Sequence, residues 1–422
     1  MKIASIDRAL ARGIAAPDAR RMRCVAVIAA RHGRRLWLVG GPLRDVLLGR
    51  PVTDLDLAID GAVQQIGRSV ARELEGGFRW HPRFSTAVIT FDGGHLDLAA
   101  TRTETYAAPA VLPRVRPGGI EEDLARRDFS VNAMALEIRP HGHGPLIDPF
   151  AGRSDLRSGT LRVLHEGSFS DDPTRIFRAA RFAVRFGFRI DRATLGQLRA
   201  SVACGEPRRL SGERVAAELR RALKEPRPDA VLALLARWRL GDAWDATVGP
   251  TASGLGRLRY ANTRLRSLAR GSDSEVALLL ACTFHDLTQP QRERIADRLR
   301  LRRAERRLLV FGPERVREIL SRLRCASGRL AVDLVCLDAN EEVLVLAGLL
   351  GDAPGFAKLR GWWRRTGETR LLIDGHDLRH AGVAQGPGLA RGLRAARCAW
   401  LRGRASSRRA QLDVALRAAR RT

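Results

Sequence analysis

The hydrophobic pattern changes period several times in the first hundred residues. Leu36–Val39 is an unbroken apolar run of the length of a short buried strand. Gly40 and Gly41 follow as a tight turn, Pro42–Leu48 as a helix whose first turn tolerates proline, and Gly49 as its end. In the next strand Asp54 and Asp56 are two residues apart, so the pleat puts both carboxylates on one face. Val25–Arg31 finishes a helix leading into the first strand, and residues 1–24 form a basic lead-in, helical or frayed. Val63–Leu74 has the period of an amphipathic helix, ended by Gly76-Gly77. Ala87–Phe91 and His95–Ala99 alternate as a hairpin around Asp92-Gly93-Gly94, with Asp97 on its second strand and Arg102 closing it. This mixed order predicts a small α/β sheet over roughly residues 25–140.

The pattern then becomes helical. Tyr106 to Gly119 is too rich in proline and glycine for regular structure and is expected to be a loop, followed by a helical Glu121–Leu124. Pro173 suits the first turn of a helix, with Asp171 and Asp172 near its cap and Arg175, Arg178, Arg181 and Arg185 at spacings of three and four. Such a stripe is commonly a solvated face. Leu210–Leu223 continues as a helix capped by Ser211, and Lys224–Pro228 breaks it. From Pro228 to about Leu350, arginine-rich apolar helices separated by Gly and Pro predict a body of packed helices. The expected class is α+β, a small α/β head followed by an all-helical neck, body and tail. The boundaries fall at 1–140, 141–228, 229–355 and 356–422.

Composition narrows the partners. The chain has 422 residues, 45% of them hydrophobic, enough for two to four units. It has neither a run of about 18 apolar residues nor a secretory pattern, so no membrane span and a cytoplasmic location are expected. Six cysteines are scattered without a CxxC pair, which argues against structural zinc and a disulfide framework. The formal charge of +28 calls for a polyanion. Only Lys2, Lys224 and Lys358 are lysines, an imbalance that genome composition can produce, but exchanging Lys for Arg creates no net charge. From Arg391 onward ten arginines face the single acid Asp413, a field suited to duplex RNA backbone, with Arg408 and Arg409 as candidate RNA contacts.

A glycine turn for phosphate, Arg44 and the Asp54/Asp56 pair lie within about 20 residues and compose a nucleotidyl-transfer site with a divalent cation. Asp97 is a third carboxylate, either a metal ligand, a base for an attacking hydroxyl, or an acid capping its own hairpin. Asp128 can accept from ribose hydroxyls while Arg126 or Arg127 forks onto phosphate; a helix-start ion pair explains the same residues. His285-Asp286 would suit a metal-dependent phosphohydrolase only with further ligands, and no histidine lies between His165 and His285.

The segment GGPLRDVLLGRPVTDLDLAIDG resembles the signature of the nucleotidyltransferase family that contains tRNA CCA-adding enzymes and bacterial poly(A) polymerases. RRDFSVNAMA resembles its second signature, and LIDPFAGRSDLRSGTLRVL its connecting motif. Asp171-Asp172-x-x-Arg175 resembles its Glu-Asp-x-x-Arg motif with Asp171 in place of glutamate. LSGERVAAELRRAL and LLIDGHDLRHAGVAQGPGLARGL are similar to its later segments. The resemblance implies magnesium at Asp54 and Asp56, with Asp97 as a third catalytic acid. It also implies a nucleotide held by Gly40, Gly41, Arg44, Arg126, Arg127, Asp128, Asp172, Arg175, Arg178 and Arg181. The reaction implied is template-independent addition of C and/or A to a tRNA 3′ end from CTP and ATP, releasing pyrophosphate, with tRNA gripped at acceptor end and elbow.

Base edges supply an independent logic for the neck motif. Cytosine and adenine present an amine donor beside a ring-nitrogen acceptor, whereas uracil and guanine present the reverse. An Asp172/Arg175 pair would therefore accept C and A and reject U and G without a template. A poly(A) polymerase, or a non-catalytic RNA-binding protein on the same scaffold, are the alternatives. The proline-rich Tyr106–Gly119 stretch leans toward A addition over CC or full CCA addition. Oligomeric state is not legible.

Overall fold

The structure is a computed structural model that describes residues 6–52, 54–244, 249–267, 274–337, 339–351, 353–366 and 371–420. The chain forms two compact units, 1–247 and 248–422.

In the first unit, α1 (Ile6–Gly13) and α2 (Ala16–Arg31) precede the wholly buried β1 (Leu36–Val39). α3 (Gly40–Leu47) begins at once, because Gly40 at φ +66° takes the left-handed turn that lets a strand run straight into a helix. β2 (Leu55–Ile59), α4 (Val63–Glu73), β3 (Gly77–His81), β4 (Thr86–Phe91) and β5 (Gly94–Ala100) follow. β6 (Arg102–Thr105), β7 (Arg114–Pro117), α5 (Ile120–Ala125), β8 (Ala135–Ile138) and β9 (His143–Ile147) complete the head. Seven strands make one sheet in the order β3-β4-β5-β2-β1-β8-β9. Only β2 and β5 run parallel among the pairings near the site, while β1 is antiparallel to both β2 and β8.

The alternation divides the sheet's faces. Trp37, Val39 and Ala58 pack with Ile120 and Leu124 of α5 in one buried cluster, so the α5 side is also the side of Asp56. Leu36, Leu38, Leu57 and Ile59 point the other way and are 0–1% exposed. The expected Asp92-Gly93-Gly94 hairpin is present as β4 and β5.

One expectation fails. The Tyr106–Gly119 stretch is not all loop, for Arg114–Pro117 pairs antiparallel with Arg102–Thr105 in a separate two-stranded ribbon. Pro117 is tolerated because it lies at the end of a two-stranded ribbon, where a missing N–H costs little.

The helical neck comprises α6 (Gly152–Ser158), β10 (Thr160–Leu161), α7 (Ser168–Asp171), α8 (Thr174–Phe186), β11 (Arg189–Ile190), α9 (Arg192–Ala203), α10 (Gly212–Leu223) and α11 (Pro228–Arg237). The arginine stripe of α8 is only partly solvated: Arg175 is 4% and Arg181 8% exposed, while Arg178 and Arg185 keep about a third of their side chains in solvent. Arg181 donates to Glu218 of α10 and to Glu225 (3.2 and 3.0 Å), and Arg185 also pairs with Glu225, so the stripe staples α8 to α10 and its end. Acids on a neighbouring element turn a polar face inward.

The second unit is helical throughout its described residues. α12 (Ala252–Ser267), α13 (Ser274–Thr283), α14 (Gln289–Arg298), α15 (Arg303–Cys325), α16 (Gly328–Leu337), α17 (Glu341–Leu350) and α18 (Ala353–Thr366) form the packed body. α19 (Gly375–His380), α20 (Pro387–Leu401) and α21 (Arg408–Ala419) close around Leu378, Ala396 and Ala415. No helix among the described residues is long and apolar enough to cross a membrane.

Candidate active site

The parallel register of β2 and β5 sets Asp56 directly beside Asp97, while Asp54 is exposed in the bend one residue before β2 begins, outside the strand expected to carry both acids. Parallel neighbours are about 4.8 Å apart, so these carboxylates crowd one another. Burial, with Asp97 and Asp54 alongside, pushes the Asp56 carboxyl up to about 6 against the opposing pull of Arg127. Burial and Asp54 also raise Asp97.

Asp56 and Asp97 line a cavity of about 310 Å³ whose other walls include Val39, Thr86, Arg126 and Arg127. Arg127 lies over the glycine turn: a Cβ at Gly40 would come within 2.5 Å of its Nη1. The turn and the second signature, almost 90 residues apart, therefore meet at one mouth. Arg127 is aimed by Asp123, which accepts from Arg127 Nη2 at 2.9 Å and from Arg126 Nη2 at 2.7 Å. The buried Nε of Arg127 has no partner. Arg126 also donates to Glu104 at 2.9 Å, which ties the β6–β7 ribbon to α5.

Asp123 is 1% exposed and was not singled out as a site residue from sequence. Its signal was present, since it precedes Arg126 and Arg127 by three and four residues. Burial alone would raise its carboxyl; the two guanidiniums outweigh that and hold it below the usual range.

Other expected nucleotide contacts have partners within the protein. Arg44 is 4% exposed, forks onto Asp45, donates to Asn132 Oδ1 at 2.7 Å and stacks 4.5 Å from the Phe186 ring centroid. Its Nη1 reaches the turn at Ser130–Asn132, and its Nη2 would lie 3.6 Å from a Cβ at Gly41, so the guanidinium also sits beside the glycine turn. Asp128 is 7% exposed and accepts from Phe129 N and Asn132 Nδ2 at 2.9 Å and from Arg178 Nε at 2.6 Å. Its carboxyl stays low because Arg178 and Asn132 outweigh burial. Arg175 is turned away from Asp172, donating to Ser168 Oγ and to the Arg126 carbonyl (2.5 and 2.8 Å). Asp172 instead accepts from Arg214 of α10 at 2.8 Å and from Thr174 N and Oγ1. Arg214 also donates to the Ala110 carbonyl at 2.7 Å. Arg214 is the second site neighbour missed in sequence, being separated from Asp172 by two helices.

In the other unit, Arg409 is exposed at the start of α21, and Arg408 donates to Asp377 with 65% of its side chain exposed. His285 Nδ1 contacts the Cys282 carbonyl and Asp286 accepts from Thr251; among the described residues no group of three or more His, Cys, Asp or Glu surrounds them.

Residues 36–162 match the family model described as poly(A) polymerase head domain. An A-adding tRNA nucleotidyltransferase of Halalkalibacterium halodurans is 40% identical over 229 residues, 54% of this chain and 53% of that protein. A CC-adding tRNA nucleotidyltransferase of Deinococcus radiodurans is 38% identical over 207 residues, 49% and 54%. The chain thus spans about half the length of these curated relatives. A CCA-adding enzyme in an apo form superposes with a TM-score of 0.74 at 26% identity, over 98% of this chain and 99% of that one. The Thermotoga maritima CCA-adding enzyme complexed with tRNA gives 0.67 at 26%, over 99% of both. The seven-stranded head and its paired carboxylates thus fall within a segment that matches the poly(A) polymerase head domain, and over nearly its whole length the chain is similar in fold to CCA-adding enzymes.

Proposed function

We propose that this chain is a template-independent tRNA nucleotidyltransferase that extends a tRNA 3′ end from ATP or CTP with release of pyrophosphate. The observation that carries the reading is the Asp56–Asp97 pair, set beside an Arg127 that covers the glycine turn. The donor set fits a divalent cation: carboxylates this close hold one another partly protonated, and a cation removes that penalty. Asp54 and Asp56 would hold magnesium, which when bound neutralises triphosphate charge and favours in-line attack.

The chain's own groups do the rest in this reading. The Gly40–Gly41 turn and Arg127 seat the phosphates, and Asp123 keeps the guanidinium in place. Asp97, raised by burial and by Asp54, takes the proton from the attacking 3′-hydroxyl. Asp172, a quarter exposed, offers its free edge to the exocyclic amine of C or A, with Arg175 or Arg214 as the donor to the ring nitrogen. Arg44 and Arg181 hold the scaffold. The head would span 1–140, the neck 141–228, the body 229–355 and a tRNA-gripping tail 356–422.

Among the family's activities we favour addition of the terminal A, since the relatives of highest similarity given above include an A-adding enzyme and the Tyr106–Gly119 segment is proline-rich. Incubating tRNAs that end before CCA, after C and after CC with each labelled triphosphate decides it. One A added only to the CC-ending tRNA is the expected product. Long A tracts would mean a poly(A) polymerase, and no extension of any primer would leave a non-catalytic RNA binder.

A further inference from the structure

A second, larger cavity of about 860 Å³ opens in the neck, built from residues of α8, β11, α9 and α11 and away from every residue of the carboxylate site. Its floor is apolar and aromatic, with Phe188, Ile190 and Trp238 among the lining residues. Four of its fourteen lining residues are arginines, Arg199, Arg208, Arg237 and Arg239, and no acidic side chain lines it among the described residues. α9 and α11 both end here, each bringing about half a negative charge, which four guanidiniums outweigh. Arg239 holds φ +59°, a left-handed conformation unfavourable for a non-glycine residue, at the position where it lines this space.

We propose that this cavity is a second nucleotide-binding site, taking a base on its aromatic floor and phosphates on its arginine rim. The charges choose among amphiphilic anions. A fatty acid brings one carboxylate and a long chain, whereas four spread guanidiniums match a ligand with several anionic oxygens, each able to engage a planar fork. The volume is within the usual range for a small-ligand site and exceeds what one base needs. A free nucleotide and a stretch of single-stranded RNA share this chemistry, base stacking plus phosphate pairing. The assignment is independent of the chemistry read for the head.

Cys204, an exposed free thiol on the cavity wall, provides a local reporter, and the exposed Cys325 provides a reference in the same molecule. Alkylation of both by N-ethylmaleimide in the full chain, followed by peptide mass analysis, would be run with ATP, with a twelve-nucleotide single-stranded oligoribonucleotide, and with dodecanoate. At about ten times its dissociation constant, ATP or the oligonucleotide is expected to slow Cys204 about tenfold and leave Cys325 unchanged. Protection by ATP identifies a free-nucleotide site, and protection by the oligonucleotide alone an RNA-strand site. The R199E/R237E double variant, altered only at exposed side chains, should lose the protection and keep its transfer activity, and Trp238→Leu should lose it where Trp238→Phe does not. The proposal is overturned if neither nucleotide form slows Cys204, if protection survives in R199E/R237E, or if dodecanoate alone protects. ATP protection that vanishes in Asp56→Asn would come from the head and would overturn it equally.

Discussion

Asp56 of β2 and Asp97 of β5 are direct register partners on the two parallel strands of the head, so two acids 41 residues apart in the chain face one another across a single hydrogen-bonded step. A folded protein keeps such a pair at a cost, and the cost is measurable.

With the Asp56 carboxyl at about 6 in the folded chain and about 4 unfolded, the folded state binds the extra proton between those values, so stability falls as pH rises through that window. Asp56→Asn should therefore raise the melting temperature at pH 7 without metal, by the equivalent of about 1–3 kcal/mol, with the gap closing near pH 4. Added magnesium should stabilise the parent and not the variant. A variant that melts below the parent at pH 7 would show that the pair carries no such strain.

Asp54→Ala and Asp56→Ala should each abolish transfer to any primer while tRNA affinity stays close to the parent's, because the loss falls on the triphosphate and the transition state. Filter binding and single-turnover extension separate the two. Near-normal turnover in Asp54→Ala would remove that residue from the site.

Gly40→Ala places a Cβ 2.5 Å from Arg127 Nη1 on a backbone at φ +66°. The left-handed conformation costs about 1–2 kcal/mol, and the displaced guanidinium should raise the KM for the triphosphate more than it lowers the melting temperature. An unchanged KM would mean Arg127 does not meet the phosphates.

Asp172→Ala removes the acceptor for an exocyclic amine and should lose rate on ATP or CTP while gaining relative tolerance of GTP or UTP. A hydrogen bond to a charged group is worth about 1.5–3 kcal/mol, roughly tenfold to a hundredfold in discrimination. Arg214→Ala should alter that choice too, since Arg214 holds Asp172, whereas Arg175→Ala should mainly destabilise the chain by leaving the buried Ser168 and Arg126 acceptor groups unpaired. Equal losses across four triphosphates in both Asp172→Ala and Arg214→Ala would show that they brace α8 and do not read a base.

Glutamate at Arg408 and Arg409 should weaken tRNA binding and flatten its salt dependence with nucleotide choice unchanged, because such contacts would be to phosphate alone. Coincident salt slopes for variant and parent would make the tail ordinary solvated charge.

The strands were legible because burial writes itself into period: the LWLV run, the strand that carries Asp56 and the Asp92-Gly93-Gly94 hairpin appear where expected, although that second strand starts one residue after Asp54. Side-chain direction was not. A helical spacing of three and four says that Arg175, Arg178 and Arg181 share a face, but whether that face meets water or Glu218 and Glu225 depends on how a helix more than 30 residues later packs back. The acceptor of Arg44 was hidden for the same reason, Asn132 being 88 residues away. The Arg114–Pro117 strand escaped notice because a proline-rich composition outvoted four residues whose partner strand was itself short.

The parallel pairing of β2 with β5 also governs how the carboxylate site is assembled. Two parallel strands cannot be joined by a tight turn, and here α4, β3 and β4 intervene, so bringing Asp56 to Asp97 closes a loop that contains all three. A slip of one residue in that pairing would turn Asp97 to the opposite face and carry the buried Leu96 and Leu98 out of the core with it, so the packing that fixes β5 also places the acid. The carboxylate pair is thus aligned by the same leucines that bury the strand, and its geometry follows from the core and not from the acids themselves.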